Sequence, residues 1–173
     1  RVTRMLANQK IIVSAGHTNA SLDDLRGAID AGLTMFTHLG NGCPAVMPRH
    51  DNIIQRALSL RGELWLCFIA DGAHIPFFTL KNYLDIVGLD KTIVVTDAIV
   101  AADMGPGSYH FGRWELEIGD DLIARSPDNS HLVGSTVTMQ RSFQNLTGHL
   151  GFSNDAARRV LEQNPAAVLG QSS

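Results

Sequence analysis

The feature that most constrains the fold of this chain is a strand-then-helix pattern that repeats four times. Apolar, β-branched runs bounded by turn residues occur at 11–15, 34–38, 64–70 and 92–98. A helical pattern follows each of the first three runs closely and the fourth at a greater distance. Strands with such continuous hydrophobicity are buried on both faces, which is typical of parallel sheets covered by helices. The repeat therefore predicts an α/β fold with four consecutive parallel strands.

Capping residues mark the helices between these strands. The first helix is predicted to begin at Ser21, to carry Asp23 and Asp24 at the positive end of its dipole, and to end at Gly32. The second is predicted to begin near Asp51, and the third lies within the segment FTLKNYLDIVG.

The pattern changes after the fourth strand. The segment YHFGRWELEIGDDLIAR predicts a β-hairpin with Gly119 and Asp120 near its turn. Two closing helices are predicted in STVTMQRSFQNLTGHLG and SNDAARRVLEQNPAAVLG, the second beginning at Ser153. Because no linker interrupts residues 1–173, we expect one domain. The opening RVTRMLANQK lacks an initiator Met and resembles the last turns of a helix, so we expect a fragment.

Composition excludes several classes of partner. The chain of 173 residues has a net charge of −3 and no cluster of Lys and Arg, so we expect neither nucleic acid nor a membrane surface as a partner. No apolar run reaches the roughly 18 residues of a membrane span. Its two cysteines, Cys43 and Cys67, are too few for a disulfide framework and are interpreted as small buried apolar residues. We expect a soluble cytoplasmic protein.

Polar residues that bind metals or transfer protons stand at the predicted strand ends. His17 and His38 end the first two strands, Asp71 and His74 follow the third, and Asp97 ends the fourth. Four βα units fit either a small doubly wound sheet or half of an eight-stranded barrel, and ligands bind at the carboxyl ends of the strands in both. Each residue alone is more often structural. Together they predict a metal or catalytic site about as strongly as a structural role.

Two further segments reach the same edge of the predicted sheet. The turn HLGNGCP places glycines around Asn41 and can bring backbone N–H groups close to an anion, to which Arg49 could add a charged contact. LVGST precedes a helix, where free N–H groups suit a polar ligand. A tight turn with a solvated Arg and an ordinary cap are the alternatives. We interpret the remaining histidines as partly solvated structural residues: His110, His131 and His149. For His50 the same interpretation is slightly favoured.

Six motifs in this order and spacing resemble one family. The segments are VSAGHTNA, THLGNG, IADGAHIP, VVTDAIVAA, LVGSTVTM and NPAAVLG. Together they resemble N-acetylglucosamine-6-phosphate deacetylase, of the amidohydrolase superfamily, over nearly the whole chain. The resemblance implies a partial TIM (β/α)8 barrel, strands five to eight with their helices, plus a β-hairpin insertion and C-terminal helices.

The resemblance also implies a role for each matching residue. His17 and His38 would be ligands of a divalent metal ion, expected to be zinc, and Asp97 would be the general base and acid. The substrate, an amino-sugar phosphate, would be held by ten residues: Asn41, Gly42, Arg49, Asp71, Gly72, Ala73, His74, Leu132, Val133 and Gly134. The implied reaction is hydrolysis of N-acetylglucosamine 6-phosphate to glucosamine 6-phosphate and acetate.

The sequence departs from the family pattern in ways that leave alternatives open. The family more often has Ala and Met at Gly42 and Cys43, and its Glu metal ligand and a carbonyl-polarising His lie in the half of the barrel that this chain does not match. The alternatives are another N-acyl amidohydrolase and a half-barrel that only binds ligand or assembles. Because a half-barrel has two open strand edges, we expect a homo-oligomer, a dimer.

Overall fold

Strands and helices alternate through the first part of the chain. The computed structural model describes residues 1–171. The elements of this part are α1 (Val2–Asn8), β1 (Val13–Ala15), α2 (Leu22–Asp30), β2 (Leu33–Phe36), α3 (Ile53–Ser59), β3 (Trp65–Ile69), α4 (Phe77–Val87), a short 3₁₀ turn (Leu89–Lys91) and β4 (Thr92–Val95). The predicted succession of βα units is confirmed, and the opening residues are helical as expected.

The second part of the chain contains a small sheet and the closing helices. Its elements are β5 (Gly107–Phe111), β6 (Trp114–Ile118), β7 (Ala124–Arg125), α5 (Met139–Gly148), α6 (Asn154–Arg158), a π-helical turn (Arg159–Gln163) and α7 (Asn164–Val168). Within residues 1–171, the structure has no helix with the length and apolar character needed to cross a membrane.

The main sheet is parallel throughout. Its strands lie in the order β1-β2-β3-β4, and each pairs with the next along the chain. The pair Leu66 and Thr92 begins the longest register, which runs to Ile69 and Val95. The predicted α/β fold with a parallel sheet is therefore confirmed.

The core lies between this sheet and the helices that cover it. From Leu66 to Ile69 the third strand is almost completely buried, which agrees with its continuous apolar sequence. Leu80 of α4 and Leu146 of α5 are fully buried in the same cluster. The Cys67 thiol on the same strand is also buried, and burial raises its pKa to about 12, so it stays protonated and unreactive.

The start of α2 follows the predicted capping pattern. The Ser21 hydroxyl accepts a hydrogen bond from the Asp24 backbone N–H at 3.1 Å, and the Asp24 carboxylate accepts one from the Ser21 N–H at 3.2 Å. Hydrogen bonds from the Ser21 hydroxyl and then its N–H lower the pKa of Asp24 below its ordinary value. At the other end, Gly32 has φ +102, and a Cβ there would meet Ala7 at 2.4 Å. Gly32 thus lets α1 pack against the end of α2.

The predicted hairpin with Gly119 and Asp120 near its turn is confirmed, because β6 and β7 pair antiparallel on either side of them. The structure adds a second hairpin that was not predicted, with a tight turn at Gly112 and Arg113, where Phe111 of β5 pairs with Trp114 of β6. The small sheet therefore has three strands rather than two. A second apolar cluster, separate from the main core, is formed by Leu116, Ile118 and Ala124 of this small sheet together with Ala101 from the segment before it.

The closing helices also differ from their predicted bounds. Helix α5 is capped by Thr138, whose hydroxyl accepts from Arg141 N–H at 3.1 Å, because Ser135 is already paired with Ala98 in a parallel bridge. The last predicted helix is divided into α6, the π-helical turn and α7. Pro165, in the first turn of α7, has no N–H to continue a regular helical ladder.

Two substitutions on one helix test where the core lies. Leu80→Ala should lower the free energy of unfolding by about 2–5 kcal/mol, because it empties a fully buried site. Phe78→Ala, two residues earlier on α4, should change it by less than about 0.5 kcal/mol, because that ring is 75% exposed. Urea denaturation followed by circular dichroism measures both. Equal losses for the two variants would contradict the packing of α4.

Candidate functional site

The carboxyl ends of the four parallel strands carry the site. His17 follows β1, His38 follows β2, Asp71 follows β3 and Asp97 follows β4. Three of them adopt left-handed backbone conformations, with φ of 48° at His17, 27° at His38 and 51° at Asp97. Such conformations are uncommon for residues other than glycine, and they cluster at functional sites. The structure therefore places these four side chains on one edge, and three of them at sharp turns.

The two histidines meet directly. Their Nε2 atoms lie 3.0 Å apart, and the rings are perpendicular, with centroids 4.7 Å apart. His17 is exposed, whereas His38 is buried. Two imidazole nitrogens that share one zinc ion at about 2.0–2.1 Å, in tetrahedral geometry, are roughly 3.3 Å apart. The observed separation is a normal hydrogen-bond distance and is a few tenths of an ångström shorter than that of two zinc ligands, so a small movement of the rings would let both nitrogens bind one ion.

The second ring nitrogen of His38 is unusual. His38 Nδ1 is buried and has no hydrogen-bond partner among residues 1–171. A buried polar atom without a partner costs about 1–3 kcal/mol. A residue chosen for packing alone would not carry this cost, so the unpaired nitrogen supports a functional role for the ring.

Glycines let the two histidines approach each other. A Cβ at Gly16 would meet Thr37 Cγ2 at 2.2 Å, so Gly16 permits the ends of β1 and β2 to come together. A Cβ at Gly42, where φ is +63, would lie 2.5 Å from His17 Nδ1. The turn that follows His38 thus packs its backbone against the His17 ring.

The same turn holds Asn41. Both the N–H and the side-chain amide of Asn41 donate to the His38 carbonyl, at 3.0 and 3.2 Å. Arg49, farther along this loop, is exposed, and no ion pair within residues 1–171 involves it. The structure therefore brings Asn41 and Gly42 to the histidine pair and leaves the Arg49 guanidinium without an ionic partner in the described chain.

Asp71 and His74 form a second polar unit beside the histidine pair. One Asp71 carboxylate oxygen accepts from the backbone N–H groups of Ala73 and His74, both at 2.9 Å, and the other lies 2.6 Å from His74 Nδ1. Burial raises the pKa of Asp71, but the hydrogen bond and charge of His74, with the two backbone hydrogen bonds, leave it below the ordinary value. Asp71 is thus engaged within its own loop, and His74 is the side chain that it orients.

The segment 132–134 lies beside Asp97. The Ser135 N–H donates to the Asp97 carbonyl at 3.1 Å, and the Ile99 N–H donates to the Ser135 carbonyl at 2.9 Å. A Cβ at Gly134 would meet Ile99 Cγ2 at 2.4 Å, which explains a glycine at φ +62. These contacts place Leu132, Val133 and Gly134 next to the turn that exposes the Asp97 carboxylate.

A cavity beside helix α5 does not coincide with the histidine pair. This cavity of about 500 Å³ is lined by Asp71, Gly72 and Ala73, by α5 and by the small sheet, but not by His17, His38 or Asp97. The polar residues at the strand ends are therefore taken as the candidate site, and this cavity shares only the Asp71–Ala73 part of the loop with it.

The sequence analysis did not place two residues, Asn145 and His149, in this region. Asn145 of α5 donates to the carbonyl of Ala70, which directly precedes the Asp71–His74 loop, and the ring of His149, the C-cap residue of α5, stacks on Phe77 at the start of α4. The available signal was an Asn next to Leu146 on the inward face of an amphipathic helix, where a buried amide needs a partner.

The described chain provides only part of a metal-ligand set. Within residues 1–171, no three or more His, Cys, Asp or Glu side chains lie close enough to hold a metal ion. The His17–His38 pair supplies two nitrogen donors, whereas a catalytic zinc site commonly has three protein ligands.

Comparison with known proteins gives a consistent family, although no protein-family model matches the chain. The chain is 31% identical over 175 residues to the human N-acetylglucosamine-6-phosphate deacetylase, covering 98% of this chain and 42% of that protein. It is 30% identical over 162 residues to the Haemophilus influenzae protein of the same name, covering 92% and 42%. It is also 26% identical to an N-acetylgalactosamine-6-phosphate deacetylase of Escherichia coli, covering 96% and 43%.

Solved structures agree with the sequence comparison. The N-acetyl-D-glucosamine-6-phosphate deacetylase of Mycobacterium smegmatis superposes with a TM-score of 0.86 at 31% identity, over 98% of this chain and 45% of that one. The enzyme of Thermotoga maritima gives a TM-score of 0.87 at 26% identity, over 98% and 46%. The resemblance inferred from six motifs is therefore confirmed over nearly the whole chain. The chain spans about 42% of the length of these curated deacetylases.

A glycine substitution tests whether the histidine pair can hold a metal ion. Gly16→Ala should weaken Zn²⁺ binding by this chain at least tenfold, because the added Cβ would push the β1 end away from Thr37 and separate the rings. Gly27→Ala in α2 is the matched control, since a Cβ there has no atom within 4 Å. Isothermal titration calorimetry with zinc measures both. Unchanged zinc affinity in Gly16→Ala would show that metal binding does not need the pair.

Proposed function

We propose that this chain is part of a metal-dependent deacetylase that hydrolyses the acetamide of N-acetylglucosamine 6-phosphate. The observation that carries the proposal is the His17–His38 pair, whose Nε2 atoms converge at 3.0 Å where two neighbouring strands end. The exposed Asp97 carboxylate at the end of β4, on the same edge of the sheet, supplies the group that such a hydrolysis requires besides the metal.

His17 and His38 would hold the divalent metal ion, which we propose to be zinc. Their facing donor atoms are the Nε2 nitrogens of two imidazole rings, a ligand type that suits zinc. When bound, the metal ion acts as a Lewis acid and lowers the pKa of a bound water so that it can attack at neutral pH. Its remaining protein ligand is proposed to come from outside residues 1–171.

Asp97 would move the proton during the reaction. An amide carbonyl is a poor electrophile and an amine anion a poor leaving group, so both the attacking water and the departing nitrogen need proton transfer. Asp97 would take a proton from the attacking water as the water oxygen forms a bond to the acetyl carbon. It then gives that proton to the sugar nitrogen as the carbon–nitrogen bond breaks. The products are glucosamine 6-phosphate and acetate.

The loops around these groups would hold the sugar phosphate. The backbone at Asn41 and Gly42 lies against the His17 ring, and Arg49 on the same loop would contact the phosphate. His74, whose ring is oriented by Asp71, would contact the sugar. Gly72 and Ala73 of the same loop would contact it as well. Leu132, Val133 and Gly134 would line the far side, next to Asp97.

We also propose the larger assembly to which the chain belongs. The four parallel strands would be strands five to eight of a (β/α)8 barrel, with residues 1–173 as one structural unit. In the described sheet, β1 and β4 are edge strands whose outer backbone groups need partners. We propose that the rest of the barrel supplies them, that the whole protein is a homodimer, and that it works in the cytoplasm.

A second candidate substrate differs from the first at one sugar carbon. The 26% identity to an N-acetylgalactosamine-6-phosphate deacetylase favours it, and the chain departs from the family pattern at Gly42 and Cys43. Acetate release by the whole protein should be measured from both sugar phosphates and from unphosphorylated N-acetylglucosamine. We expect N-acetylglucosamine 6-phosphate to be the best substrate, with at least tenfold lower kcat/KM for the unphosphorylated sugar. Comparable rates with and without phosphate would refute the role of Arg49.

An Asp97 variant tests the proton transfer. In the whole protein, Asp97→Asn should leave folding and zinc content unchanged and lower kcat by at least about 100-fold, because the amide cannot accept the proton. Asp103→Asn is the control, since Asp103 is also exposed and also has a positive φ, of 67°. If Asp97→Asn kept activity within a few fold of wild type, Asp97 would not be the base. Full turnover by residues 1–173 alone would show that no ligand from outside is required.

A further inference from the structure

Helix α5 and its C-cap residue contact the chain on both sides of the Asp71–His74 loop, through two residues spaced four apart. Asn145 Nδ2 donates to the Ala70 carbonyl at 2.8 Å. Four residues later, the His149 ring stacks on Phe77, with centroids 4.5 Å apart and planes 8° apart. Ala70 directly precedes the loop, and Phe77, the first residue of α4, follows it after Ile75 and Pro76. The two contacts therefore lie on either side of the loop.

The contact of Asn145 is the stronger of the two. Asn145 is 6% exposed and Ala70 is fully buried, so the hydrogen bond is shielded from water. A buried carbonyl that loses its donor carries a desolvation penalty, and nothing in the sheet replaces the donor after β3 ends at Ile69. The orientation of the Ala70 peptide thus depends on the amide of Asn145.

The interior of the loop transmits that orientation to His74. The Ala70 carbonyl belongs to the peptide that joins Ala70 to Asp71. The Asp71 carboxylate in turn accepts from the Ala73 and His74 N–H groups and binds His74 Nδ1. Gly72 fits against the Phe77 ring, where a Cβ would lie 2.6 Å from it. A rotation of the Ala70 peptide would therefore displace the carboxylate and, with it, the His74 ring.

We propose that Asn145 is a positioning residue of the site, which sets the direction of the His74 ring by fixing the Ala70 carbonyl where β3 ends. It does not touch substrate and acts through Asp71. The direction of the His74 ring follows from the contacts described above. The effect on sugar binding rests on the proposed function, in which His74 contacts the substrate.

The chain contains a matched control for Asn145. Asn164 is also 6% exposed, and its Nδ2 donates to the carbonyls of Leu89 and Thr92, at 2.6 and 2.7 Å. These carbonyls flank the start of β4, at the amino end of the sheet and away from the loop. Asn164→Leu removes a helix-to-backbone clamp of the same kind without touching the Ala70–Phe77 segment.

Hydrogen exchange of this chain, followed by NMR, tests the proposal. Asn145→Leu should lower the protection of the Ala73 and His74 amides at least tenfold and shift the Nδ1 resonance of His74, because the Asp71 carboxylate would leave its position. Asn164→Leu should leave the exchange rates of the Ala73 and His74 amides within twofold of wild type and the Nδ1 resonance of His74 unshifted. The Leu80 amide, bonded to the Pro76 carbonyl within α4, is the internal reference for general loosening. Asn145→Ser, whose hydroxyl is too short to reach Ala70, gives the same test if the Leu variant does not fold.

Two outcomes would overturn the proposal. One is an unchanged exchange rate at Ala73 and His74 in both Asn145 variants, and the other is an equal effect of Asn164→Leu. In the whole protein, Asn145→Leu should raise KM for the sugar phosphate more than it lowers kcat, as expected for a displaced substrate contact. If the wild-type protein released no acetate, the proposed function would fail while the exchange result still decided the role of Asn145.

Discussion

All four strands of the main sheet run in the same direction, and the site depends on this constraint. Parallel pairing places every carboxyl end at one edge, so residues far apart in sequence become neighbours there. His17 and His38 are separated by a complete helix yet meet at 3.0 Å because β1 pairs with β2. Parallel strands also need burial on both faces, and the covering helices that provide it include α5, which anchors the loop after β3.

At this edge, the backbone leaves the regular strand conformation at the residues whose side chains form the candidate site. His17, His38 and Asp97 occupy left-handed conformations, and Gly16, Gly42 and Gly134 allow the neighbouring segments to approach them closely. The unpaired His38 nitrogen adds a further cost. Such costs are tolerated when the surrounding structure fixes the conformation, and here the buried β3 and its helices do so. The stability of the core and the geometry of the site are therefore linked through the strand ends.

The sequence was sufficient where a local pattern determines the structure. Ser21 and Asp24 form the expected capping box, and the apolar runs form the parallel strands, because both depend on nearest neighbours and hydrophobic periodicity. The turn near Gly119 was predicted correctly, whereas the second turn at Gly112 was not predicted, because several glycines in this segment satisfy the same turn chemistry. Asn145 was missed because its partner, Ala70, is 75 residues away and only tertiary packing joins them. Arg49 and Leu132 remain predictions, since no contact in the described chain tests a role in substrate binding.

The central claim is that the β1 and β2 ends form the metal-binding half of the site. Crystals of the chain soaked in zinc, with diffraction recorded on both sides of the zinc absorption edge, test it most directly. The account predicts an anomalous peak about 2.0–2.1 Å from Nε2 of both His17 and His38. A peak at Asp71 and His74 instead, with the His17–His38 pair still in hydrogen-bond contact and free of metal, would contradict it.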